Sequence, residues 1–166
     1  MKKVFFAVLF CALVLPAMAV TPVKLSLWDG IAFPNENIVR GVELGIGGNT
    51  DDIAGVQFNV VWAKNQTMAG WQASWVFNDA GSFSGLQTAP INKSVDISGV
   101  SIGLVNMSYN ITGFQLGFFN MADRFSGLQL GFINYARDID RGIQLGLVNF
   151  AENGFMPVML FINGRF

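Results

Sequence analysis

The chain contains no histidine, and its one cysteine is Cys11. Lack of histidine removes the Ser-His-Asp type of relay and the commonest general base. It also argues against outer-membrane lipases, deacylases and omptin-like proteases, which rely on that residue. Scarcity of both residue types removes the usual zinc and haem ligand sets. Charge is sparse too. Charged residues are 13% of the chain and hydrophobic ones 52%, where an ordinary soluble domain carries about a quarter charged. Acids and bases nearly balance, at 11 against 10, and no basic stretch suggests a nucleic-acid partner. After the first nineteen residues no apolar run is long enough for a transmembrane helix. A membrane reading would therefore have to use strands. No glycine-rich phosphate loop is present, because the glycines recur inside strand patterns rather than before a helix.

Residues 1–19 read MKKVFFAVLFCALVLPAMA. Lys2 and Lys3, an apolar run and the Ala17-Met18-Ala19 end make this a secretory signal peptide, with the mature chain expected to start at Val20. Phe10 before Cys11 is too large for a lipoprotein cleavage site. The mature chain then holds no cysteine and no disulfide, and residues 20–166 suffice for one domain.

What the chain has in abundance is repetition. GFQLGFFNMA, GLQLGFINYA and GIQLGLVNFA begin at Gly113, Gly127 and Gly142, a period of 14 or 15 residues. Further starts lie upstream at Gly41, Gly55, Gly70, Gly85 and Gly99, and in-phase apolar residues follow Pro22 and Pro157. Within each unit apolar residues recur two apart, which is the period of a strand. Counting the start glycine as position one, even positions carry bulky apolar side chains such as Val42, Phe58, Trp71, Leu116 and Leu130. Position three is polar: Lys24, Glu43, Gln57, Gln72, Gln87, Ser101, Gln115, Gln129 and Gln144. Asn106, Asn120, Asn134 and Asn149 close their strands, where asparagine favours turns.

Two all-β architectures use such a pattern. The first is an antiparallel transmembrane β-barrel of about ten short strands, its bulky face toward lipid and its Gly/Gln face filling the lumen. The second is a β-solenoid with 14–15-residue coils, its bulky face forming the core, its Gly/Gln face wet and its asparagines stacked at a corner. The volume swings along one column (Val56, Trp71, Leu86, Val100) favour the barrel, since lipid tolerates them and a stacked core does not. Ten is an even strand count, and nine residues per strand climb about 23 Å when tilted, near the ~25 Å apolar band of such barrels. Trp62 and Trp71 flank one turn and are candidates for a membrane girdle. The end VMLFINGRF alternates up to Phe166, so its last strand resembles that of outer-membrane barrels, with Phe166 as a candidate assembly signal.

On this reading Lys24, Glu43, Gln57, Gln72, Gln115, Gln129 and Gln144 line the lumen, with Lys24 and Glu43 able to pair. No catalytic, metal or cofactor site is expected. Asp51-Asp52 is more simply a turn than a calcium site, and the cluster of Arg137, Asp138, Asp140 and Arg141 a solvated turn. The expected partners are a lipid bilayer and the outer-membrane assembly machinery, in a structural or surface-exposed role. A narrow Gln/Gly-lined channel and a secreted β-solenoid binding module are the alternatives. The GLQLGLxNxA-like repeats, with the opening PVKLSLWDGIAFPNENIVRGVELGIGG, resemble a family of bacterial surface-repeat proteins. That resemblance implies a cell-envelope protein and carries over no functional residues.

Overall fold

The computed structural model describes residues 20–28 and 30–166. The signal peptide and Cys11 lie outside the described residues. The strands are β1 (Thr21–Trp28), β2 (Ile31–Phe33), β3 (Ile38–Asn49), β4 (Asp52–Ser74), β5 (Phe77–Thr88), β6 (Ile91–Ile102), β7 (Val105–Ala151) and β8 (Val158–Arg165). They form one sheet in the order β2-β1-β3-β4-β5-β6-β7-β8.

The register identifies the architecture. β3 runs parallel to β4 with Gly41 beside Gly55 and Glu43 beside Gln57. β4 runs parallel to β5 with Gly70 beside Gly85. β5 and β6 pair Gly85 with Gly99, and β6 and β7 pair Gly99 with Gly113. Each residue thus sits beside its own equivalent one repeat later, so one repeat is one coil of a parallel β-solenoid. The 47 residues of β7 carry the repeats that start at Gly113, Gly127 and Gly142 in one continuous wrap of extended backbone.

This corrects the barrel. A barrel of hairpin-linked strands needs antiparallel neighbours, whereas the repeat-to-repeat pairings here are parallel. Among the described residues the sheet's end strands, β2 and β8, do not pair with each other, so it is not closed. With the barrel go its ten antiparallel strands, the transmembrane β-strand reading and the outer-membrane placement built on them. Among the described residues antiparallel pairs occur only at the ends of the sheet: β2 folds back on β1, and β8 folds back on the last coil. These two strands cover the edges that a bare parallel stack would present, the role of terminal caps in repeat proteins.

The direction of the side chains also differs from the solenoid expected from the pattern. Position three points inward: Glu43, Gln57, Gln72, Gln87, Ser101, Gln115, Gln129 and Gln144 are fully buried. The bulky even positions point outward, as at Leu44, Phe58, Trp71, Leu116 and Phe132, all exposed. A second inward column, from the later part of each coil, supplies the apolar core: Val39, Ile53, Met68, Phe83, Ile97, Ile111, Phe125 and Ile139. The start glycines explain how tightly the coils stack. Gly113 has φ 139°, and a Cβ there would lie 2.0 Å from the Gly99 carbonyl oxygen, so no other residue fits.

The volume swings therefore lie on the outer face, where no core has to accommodate them. The inward columns are far more uniform, as direct stacking requires.

Candidate functional site: an amide-cored scaffold with an uncharged face

Burying amides is tolerable only if each finds partners. Parallel stacking provides them. Asn78, Asn92, Asn106, Asn120, Asn134 and Asn149 form a ladder in which each Nδ2 donates to the next Oδ1 at 2.8–3.0 Å. The same Nδ2 groups donate to main-chain carbonyls of the following coil, as from Asn106 to Leu116 at 2.9 Å and from Asn120 to Leu130 at 2.8 Å. The asparagine ladder was legible in the sequence as a stacked corner.

The glutamines form a second ladder. Gln72 donates to Gln57 at 3.2 Å, Gln87 to Gln72 at 2.9 Å, Gln129 to Gln115 at 2.7 Å and Gln144 to Gln129 at 2.8 Å. The residues assigned to a lumen thus form the solid polar half of the solenoid interior. Ser101 interrupts the ladder and turns instead to Asn106 Oδ1 at 2.8 Å.

At the N-terminal end the ladder becomes ionic. Lys24 and Glu43 are neighbours in the parallel register. Lys24 Nζ donates to Thr50 Oγ1 at 2.8 Å, and Thr50 Oγ1 donates to Glu43 Oε2 at 2.6 Å. Ser26 and Gln57 also donate to the Glu43 carboxylate, at 3.0 and 3.2 Å. Burial pushes the Lys24 ammonium below its usual value, while Glu43, Asp51 and Glu36 pull the other way. Thr50 was missed in the sequence because it lies seven residues beyond Glu43, past the coil's corner.

Trp62 and Trp71 do not share an edge. Trp62 meets Trp28 edge to face, with ring centroids 6.2 Å apart, and a Cβ on Gly47 would run into its indole. Trp71 lies on the outer face, its Nε1 donating to Thr88 Oγ1 at 3.1 Å. Phe166 follows β8 and is exposed, its ring centroid 5.8 Å from that of Phe155.

Asp51 accepts a hydrogen bond from Gln66 at 2.8 Å and Asp52 binds Arg40 at 2.5 Å. Arg137 reaches Asp123 at 3.4 Å and Arg165 reaches Asp138 at 3.7 Å. Exposed pairs of this kind add little to stability. Among the described residues no group of three or more His, Cys, Asp or Glu side chains could hold a metal ion. A shallow depression of about 230 Å³ lies between Lys93, Tyr109 and Asp123.

The distinctive surface is the outer one. From Gly41 to the last coil, positions two, four and six carry no charged side chain. Leu44, Phe58, Trp71, Ile102, Leu116, Phe118, Phe132 and Leu145 stand exposed on it. The charges sit elsewhere: Arg40, Asp52, Asp96, Arg124, Arg137 and Asp140 fall on the later part of each coil, off these three positions. Comparison with family models, curated proteins and solved structures returns no match for this chain.

Proposed function

We propose that this chain is an exported β-solenoid binding module, at the cell surface or secreted, that works by docking rather than by catalysis. The observation that carries this reading is the uncharged apolar face held flat on a rigid, amide-cored scaffold. An apolar patch larger than a few hundred Å² on an exported protein marks a contact surface. The only hydroxyl on its central rows, that of Thr88, is already bonded to Trp71 and to the Gln72 carbonyl, so the face can be dried without orphaning it. Export rests on residues 1–19, and the resemblance to bacterial surface-repeat proteins supports the same placement.

The test is a thiol footprint of the protein in its native surroundings. Leu116→Cys places a thiol on the apolar face and Ser98→Cys places one at an exposed position outside it. The proposal expects a charged maleimide to label Ser98→Cys freely and Leu116→Cys only after mild detergent. Equal labelling of both without detergent overturns it.

A further inference from the structure

We propose that the apolar face is covered by the same face of a second copy of this chain, the two related by a two-fold axis along the row of Val100, Ile102 and Leu104. The inference rests on the docking reading and names its occupant.

Size is the first argument. From the row of Val42 to the row of Ile162 the face spans nine strands, about 43 Å by 16 Å at ordinary strand spacing and rise, or roughly 700 Å² of plane. Stable pairs bury about 800 Å² per partner, and side-chain relief brings this face to that size. Chemistry is the second. A face without charge offers nothing to steer or pair a charged partner. Two such faces pack as the layers of a β-sandwich do, about 10 Å apart.

Relief is the third argument, and it selects the symmetry. One coil before the row of Val100, Ile102 and Leu104 the face is low, and two coils before it is low at Ala73, between the exposed Trp71 and Trp75. Thr88 and Pro90 are short, and Ala73 is buried beside Thr88. Trp71 is tied toward Thr88 by the hydrogen bond from its Nε1. One and two coils after that row the face is high. Leu116, Phe118 and Phe132 protrude, with Phe118 and Phe132 stacked at 4.7 Å. A two-fold axis parallel to the strands reverses the order of coils. It seats Leu116 and Phe118 of each copy over Thr88 and Pro90 of the other and Leu130 over Ala73, and it brings the rings of Phe132 and Trp75 together. Ridge meets hollow twice, the self-complementarity an isologous dimer requires. The axis leaves the rows of Leu25 and Phe33 overhanging, because the far end has no rows to meet them.

Sedimentation of the exported protein, with single-cysteine cross-linking by a bismaleimide spanning about 10 Å, tests the pairing. The expected result is a closed dimer of twice the monomer mass. Ile102→Cys, on the axis, cross-links to itself, and Leu25→Cys, on the overhang, does not. Leu116→Asp sediments as a monomer with its strand circular dichroism intact, and Arg137→Glu stays dimeric. A monomeric wild type, open-ended oligomers, or Leu25→Cys cross-linking as well as Ile102→Cys overturns the pairing. A wild type that is monomeric and floats with phosphatidylcholine vesicles also overturns it, in favour of a lipid surface. If the wild type is monomeric while Leu116→Cys remains shielded in native surroundings, docking stands and only the second copy fails. If Leu116→Cys is open as well, both fail.

Discussion

Lys24 and Glu43 face each other on adjacent coils and are joined through the hydroxyl of Thr50. Lys24 is 2% exposed and Glu43 fully buried, so the polar column ends in a charged, hydrogen-bonded relay rather than an open one. Because burial lowers the folded-state value of Lys24, the unfolded chain holds its proton to higher pH than the folded chain does. Between those two values the unfolded state binds more protons, so this group's contribution to stability rises with pH. Below the folded value its burial cost is present in full. Chemical denaturation from neutral to alkaline pH, with Lys24→Met as reference, is expected to show wild type gaining on the variant as pH rises. A flat or falling difference contradicts the relay. At neutral pH Lys24→Met is expected to lose about 3 kcal/mol, since removing one partner leaves a buried carboxylate uncompensated.

Two asparagines of equal burial are expected to behave oppositely. Asn106 donates to Leu116 and Asn120 and accepts from Asn92 and Ser101. Asn106→Ala orphans several of these groups and should cost about 3 kcal/mol. Both side-chain polar atoms of Asn59 are buried without a hydrogen-bond partner. Other coils place Gly, Ala or Ser there, as at Gly117, Ala89 and Ser74. Asn59→Ala should therefore raise stability by about 1 kcal/mol. Urea midpoints of the two variants against wild type decide it, and a loss at Asn59 comparable to that at Asn106 would contradict the assignment.

Gly113 and Gly30 both have positive φ, 139° and 74°, but only Gly113 is pressed against a neighbouring coil. Gly113→Ala drives its Cβ into the Gly99 carbonyl and is expected to abolish cooperative unfolding. Gly30→Ala meets nothing within 4 Å and bears only the cost of its left-handed backbone, about 1 kcal/mol. Thermal melts of the two separate crowding from backbone preference.

The repeat and its strand period were legible, while the choice between architectures fell on the barrel and was wrong. The 14–15-residue period is the coil length itself, and the alternation of Gly113 through Gln115 to Gly117 is the strand. What the pattern could not supply was the direction of the faces. A period of two says that Gln129 and Leu130 point opposite ways, not which one points in. The barrel expectation turned Gln129 inward and Leu130 outward, and the solenoid alternative turned them the other way; the structure joins the solenoid's coils to the inward Gln129, because stacked amides satisfy one another only when their equivalents lie directly above and below. The apolar core was hidden for a related reason. Phe125 and Ile139 sit among Asp123, Arg124, Arg137, Asp138, Asp140 and Arg141, each a single apolar residue with no apolar neighbour two positions away to announce it.

The account stands on the amides being inside and the bulky side chains outside. The direct measurement is hydrogen exchange of the side-chain amides of Asn92, Asn106, Asn120 and Asn134, followed by nuclear magnetic resonance on 15N-labelled protein. The ladder predicts that these NH2 groups exchange far more slowly than those of the exposed Gln66, and that Asn106→Ala speeds exchange at Asn92 and Asn120. Exchange at the free-amide rate at all four positions would place the amides in water and contradict the polar interior, and with it the outward apolar face.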